Sequence, residues 1–269
     1  MYPRTWTHEI TIFTPTKKEA YSSTVVLYVT GGFNKKITKK ESYIDPILSE
    51  LIKHTVVIVL KNIPNQFLNI NRKNIKEDQI ITFSWNKFIL NPNLSFYPLH
   101  VPMVVAVSKA IDLTQKILLE KKISIRNSIV IGLSKRGGAT WLTALLDHRV
   151  VAIIPMVTNI LNRREQIPHI FKTYGHHWPI AFLDYYQENI PNYAMPTNPF
   201  YQNYLKLLNI EDPFTYLSSK YYRTKLANLP KYIMNSSGDD FFVPDASRFY
   251  FNASSTKIIV LCSEFQSLC

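Results

Sequence analysis

Cysteine is almost missing from this sequence of 269 residues. The two that occur, Cys262 and Cys269, stand close together near the C-terminal end. A bridge between them would close a short loop and constrain almost nothing of the unfolded chain, and their spacing fits no metal-ligand pattern. No disulfide scaffold and no metal site are therefore expected, and no cofactor is expected either. Apolar runs of membrane-spanning length are also missing, so no transmembrane segment is read. No apolar stretch follows Met1 to Trp6, so no secretory leader and no export address is visible. Acidic residues are scarce, 19 against 31 Lys plus Arg, which leaves a net charge of +12. The lysines fall in short scattered groups, Lys35-Lys36, Lys39-Lys40 and Lys121-Lys122, with no basic helix or aromatic-basic repeat. That distribution reads as a solvated surface, and nucleic acid is not an expected partner.

What is present is a globular composition, 46% hydrophobic and 19% charged, in a chain long enough to bury one large core without cross-links. Nearly continuous apolar runs at Thr24–Thr30, Thr55–Leu60, Asn127–Leu133 and Val150–Val157 predict strands covered on both faces. His8–Phe13, Lys231–Ser236 and Lys257–Leu261 predict further strands. Helices are predicted over Ile44–Lys53, over Gly137–Leu146, and over Pro102–Glu120, where proline suits the first turn. Between Arg163 and Asn228 the alternation gives way to a stretch rich in Tyr, Phe, Asn and Pro. The expectation is a three-layer α/β fold with a mostly parallel central sheet, residues 1–269 as one domain, and residues 163–228 as a helical lid or insertion.

Gly132-Leu133-Ser134-Lys135-Arg136-Gly137 joins a predicted strand to a predicted helix. A nucleophile elbow needs small neighbours there, because the serine backbone is strained and the helix packs close to the strand. Arg136 stands where the usual Gly-x-Ser-x-Gly pattern has its last glycine. Ser134 is the candidate nucleophile; the bland reading is that it caps the helix. Gly31-Gly32-Phe33 follows a central strand and would bring the N–H groups of Gly32 and Phe33, with that of Lys135, to an oxyanion. Arg136 would donate to substrate or form a structural ion pair. Asp239-Asp240 follows a late strand, where a triad acid belongs, and Asp240 suits the Asp-x-x-Val-Pro turn better. The third member is missing: all seven histidines precede Asp240. His176-His177, in the insertion, are candidates for a substitute base or a substrate contact.

Many segments in order resemble one family. They include Trp6-Thr7-His8, Thr30-Gly31-Gly32-Phe33-Asn34, Gly132–Ala144, Asp147-His148-Arg149-Val150 and Ser237–Asp245. Together they resemble the PhoPQ-activated pathogenicity-related protein family. The resemblance implies an α/β-hydrolase fold, the family serine at Ser134, its acid at Asp240, and export from the cytoplasm. The family carries its histidine in a Pro-Asn-x-x-His segment, which Cys262 to Cys269 does not match, and it begins earlier than Trp6. A truncated or frame-shifted member is the expectation. Its site would hydrolyse an ester or amide of unknown small-molecule or peptide identity, impaired by the missing histidine. A non-catalytic binding, signalling or virulence-associated protein on the same scaffold stays open.

Overall fold

The computed structural model describes residues 5–17, 22–34, 46–251 and 258–263. Lys35, Lys36, Lys39, Lys40 and Cys269 lie outside the described residues, as do the expected element ends at Ile44 and Lys257.

The chain runs through β1 (Glu9–Phe13), β2 (Thr24–Val29), α1 (Pro46–Ile52) and β3 (Val57–Lys61). A short antiparallel pair, β4 (Leu68–Ile70) and β5 (Lys73–Ile75), leads into α2 (Glu77–Leu90) and α3 (His100–Glu120). Then come β6 (Asn127–Leu133), α4 (Lys135–Leu146) and β7 (Val150–Met156). Five helices follow before the sheet resumes: α5 (Arg163–Thr173), α6 (Leu183–Gln187), α7 (Ile190–Tyr193), α8 (Tyr201–Glu211) and α9 (Lys220–Asn228). The last strands are β8 (Lys231–Ser236) and β9 (Ile258–Ser263).

The sheet order is β1-β3-β2-β6-β7-β8-β9, parallel except for β1, which pairs antiparallel with β3 at the edge. The apolar runs explain the coverage. In β2, Val25, Leu27 and Val29 join the large core cluster, while Val26 packs on the opposite face with Val57 and Ile131. Alternate side chains point to opposite faces, so a strand apolar at both parities must be covered twice. Here α1 covers the small cluster through Leu48, Leu51 and Ile52. On the large-cluster side Trp141 of α4 is 1% exposed.

The strand order also positions the site. From β2 the chain moves outward to β3, then returns to β6 on the other side of β2. In open α/β sheets the crevice at such a switch point, beyond the carboxyl ends of the strands, is where ligands bind. The loop after β2 and the turn after β6 therefore meet there, and Gly31 and Phe33 line the same cavity as Ser134, whereas Gly32 does not. Among the described residues no helix is long and apolar enough to cross a membrane.

Candidate active site

Ser134 occupies the single residue between β6 and α4, with φ 51° and ψ −124°. This is a left-handed backbone that a side chain disfavours. Its side chain makes no capping hydrogen bond. The serine thus stands at the cap position of α4 without doing a cap's work.

Close packing explains the glycines around it. A Cβ on Gly137 would lie 2.3 Å from Thr158 Cγ2, which is closer than carbon atoms can approach. Gly137→Ala is accordingly expected to cost about 1–3 kcal/mol as an overpacked site. Urea denaturation will read this, and Thr158→Ser, which removes the obstructing methyl, should restore part of it. An unchanged midpoint for the single variant would show that the helix seats differently.

A cavity of about 1080 Å³ opens at this turn. Strained backbone gathers around it: Glu77 at φ 45° and Val157 at φ 41° join Ser134. Glu77 and Val157 line the cavity with Ser134. A valine in that conformation is a true outlier. Glu77 is held in place by Gln66, whose Oε1 accepts from the Glu77 N–H at 2.8 Å and whose Nε2 donates to the Gly32 carbonyl at 2.9 Å.

The two residues after Ser134 are tied to α2. Arg136 donates Nη1 to Glu77 Oε2 at 2.9 Å, Nη2 to Glu77 Oε1 at 2.8 Å, and Nε to the Ile63 carbonyl. Arg136 thus forms a structural ion pair, and it also lines the cavity. Lys135 Nζ, only 7% exposed, lies 2.7 Å from Glu77 Oε2 and 3.0 Å from Asp78 Oδ1. Burial raises the Glu77 carboxyl, but the hydrogen bonds and charges of Arg136 and Lys135 outweigh it and hold the group down to about 2. The Lys135 N–H, in the first turn of α4, has no intrahelical acceptor. Phe33 lines the cavity and stacks on Phe67 with centroids 4.9 Å apart.

The adjacent acids after β8 divide their work. Asp239 Oδ1 accepts from the N–H groups of Phe241 and Phe242, both at 2.9 Å, and shapes the turn. Burial raises its carboxyl. Asp240 lines the cavity, and its carboxylate has no hydrogen-bond or ion-pair partner among the described residues. Its main-chain carbonyl accepts from the Tyr174 hydroxyl at 3.1 Å.

A family model for PhoPQ-activated pathogenicity-related protein matches residues 1–262. The chain belongs to this family. Autocrine proliferation repressor protein A of Dictyostelium discoideum is 32% identical over 250 residues. That match covers 92% of this chain and 48% of that protein, so the chain spans about half the length of the relative. Among solved structures, an acetyl xylan esterase from Paenibacillus sp. R4 superposes with a TM-score of 0.59 at 14% identity, covering 95% of this chain and 72% of the esterase. An acylaminoacyl peptidase superposes at 0.55 and 15% identity, covering 94% of this chain and 34% of the peptidase. At those identities the likeness is one of fold, and the fold is that of the α/β-hydrolases.

In this family member His176 and His177 are the sequence candidates for a substrate contact or a substitute base. His176 and His177 are exposed on the turn after α5, His176 packing edge-on to Phe171, and neither lines the cavity. His169 pairs with Asp245 at 2.7 Å, also away from the lining. The histidine that does line it is His100, 2% exposed, at the start of α3. Its Nε2 lies 3.0 Å from the Lys135 carbonyl, which can only accept, so this nitrogen carries a proton and donates it. Its Nδ1 lies 2.5 Å from Oε2 of Glu211, on α8 and fully buried. Both ring nitrogens are committed, and the Glu211–His100 pair braces the turn from below.

Sequence reasoning missed this pair, and it missed the Glu77 anchor. Acidic residues in a first helical turn, here Glu77-Asp78, are the signal that could have marked α2.

Proposed function

We propose that this protein carries a serine-hydrolase-type site, with Ser134 as nucleophile and an ester or amide of small-molecule or peptide character as substrate. The observation that carries the reading is the backbone of Ser134. A strained serine at a helix head, without a capping bond and facing a cavity, costs stability and returns none unless the hydroxyl is used. In this reading Ser134 Oγ bonds to the acyl carbon as its proton passes to solvent water, and collapse of the resulting oxyanion later expels the alcohol or amine, which takes a proton from water. The carbonyl oxygen takes the displaced electron pair and is met by the Lys135 N–H together with N–H groups of Gly32 and Phe33. Asp240, rather than the turn-bound Asp239, is the acid of this reading, with a carboxylate free to orient a base.

Among the described residues the cavity offers Ser134 no histidine with a free ring nitrogen. An unassisted serine hydroxyl is a weak nucleophile near neutral pH, and His100 has no free nitrogen with which to take its proton. A fluorophosphonate probe is expected to label Ser134 slowly, over hours, and to leave Ser134→Ala unlabelled. Absence of labelling would remove the nucleophile assignment. Labelling complete within minutes would show that Ser134 is assisted and require another base.

The locked His100 favours one second reading, a protein that binds its ligand in the same cavity without turnover. Slow labelling alongside ligand binding that is indifferent to Ser134→Ala would support it.

A further inference from the structure

Arg163 is the anomaly of the cavity. It opens α5, is 7% exposed, and contributes to the lining. Its Cζ lies 4.9 Å from the centre of the Trp85 ring. Yet its guanidinium makes no hydrogen bond to any described residue. Nη1 is sealed from solvent without a partner, and the nearest carboxylate oxygen, Glu211 Oε2, stands 3.8 Å away. That distance is an ion pair without a hydrogen bond.

A buried guanidinium is ordinarily paired and bonded, because removing its hydration is costly. The acids nearby are occupied. Glu211 already holds His100 through Nδ1 and, at 3.2 Å, through the main-chain N–H. Asp212 accepts from the N–H groups of Asn162, Arg163 and Phe214 at 3.1, 2.7 and 2.9 Å, which pins it to the backbone. Both local carboxylates are thus engaged by other donors, and neither makes a hydrogen bond to the guanidinium. Apolar and aromatic residues of the same lining are Ile167, Ile170, Phe182, Tyr185, Tyr204 and Trp85, and the acids of that lining, Glu77, Asp78, Asp239 and Asp240, belong to α2 and to the turn after β8. A planar fork of N–H groups in such a chamber matches a carboxylate at the end of an apolar body.

We propose that Arg163 recognises a free carboxylate, so that the ligand of this cavity is an ester or amide whose apolar body carries an acid group. The assignment rests on the cavity being the substrate site of the Ser134 hydrolase. It adds the class of substrate.

The test uses the full chain carrying Ser134→Ala, so that nothing is turned over. N-acetylphenylalanine and N-acetylphenylalaninamide share one apolar body and differ in the acid group. By titration calorimetry at neutral pH the acid should bind at least tenfold tighter than the amide, and Arg163→Gln should erase that preference. Equal binding of the two, binding of neither, or a preference that survives Arg163→Gln would each overturn the assignment. Arg163→Lys keeps the charge that Glu211 faces and serves if Arg163→Gln does not fold. A point charge in place of the fork should cut the preference severalfold, and full retention would overturn the role of the planar group. Because binding is read without Ser134, this outcome is separate from fluorophosphonate labelling: either result can fail while the other stands.

Discussion

Glu211→Ala is expected to destabilise the protein by about 3–5 kcal/mol, because it leaves buried positive charge without its counter-ion. Glu211 is fully buried, and the carboxylate faces His100 on one side and Arg163 on the other. Burial raises its carboxyl, but the charge and hydrogen bonds of His100, with the charge of Arg163, outweigh this and set it below the ordinary value of 4.5. A folded-state value below the unfolded one contributes stability that is present above about pH 4.5 and is lost as the pH falls through the folded value. Glu211→Gln keeps the volume and one acceptor, so its deficit should be smaller and should shrink on acidification below that pH. Asp212 works in the opposite sense, since burial raises its carboxyl. The comparison of wild type with Glu211→Gln cancels that contribution. Denaturant midpoints at several pH values measure all of this. A loss under about 1 kcal/mol for Glu211→Ala, the range of exposed pairs, would show that the pair contributes little.

The contrast between what the sequence revealed and what it concealed follows from the range of the interactions. Strand β6 and the turn at Ser134 were legible because a run of apolar residues ending at a Gly-x-Ser turn is a local signal. The helix after it was expected from Gly137 and begins at Lys135, since the strained serine turns the chain straight into helix. Helix α3 was expected from Pro102 and begins at His100. Proline is tolerated anywhere in the first turn, where its missing N–H has no intrahelical acceptor, so it did not fix the start, and the residue left out was His100. Helix α2 was not read at all. Its buried face mixes Ile80, Ile81, Trp85, Phe88 and Ile89 with Thr82 and Ser84, and the period blurs. Those two polar residues are buried without penalty because Thr82 donates to the Asp78 carbonyl and Ser84 to the Ile81 carbonyl. The Glu211–His100 contact joins residues 111 apart, and no local pattern reports such a pairing. Acids that a turn claims, like Asp239, look the same in sequence as acids that stay free, like Asp240.

The Glu77 anchor gives the second large effect. Its carboxylate faces Lys135 and Arg136, whose side chains are 7% and 11% exposed, while a third of its own surface remains in solvent. Removing the charge by Glu77→Gln leaves Lys135 with Asp78 alone and Arg136 with the Ile63 carbonyl. The loss is expected to be about 2–3 kcal/mol, below the range for fully buried pairs because water screens the exposed part. The pH dependence has a defined window. Glu77 is held down from 4.5 to about 2, so its contribution is complete above pH 4.5 and fades between there and about pH 2. Wild type and Glu77→Gln should therefore differ most near neutral pH and converge on acidification. A second readout separates stability from positioning. Both cations follow Ser134 directly in sequence, so loosening them should slow fluorophosphonate labelling at pH 7 even where the variant remains folded. A variant as stable as wild type at pH 7, or one that keeps the same deficit at pH 3, would show that the carboxylate does not hold the turn. The strained φ of Glu77 would then need another explanation than the one that ties it, through Gln66 and Arg136, to the serine it supports.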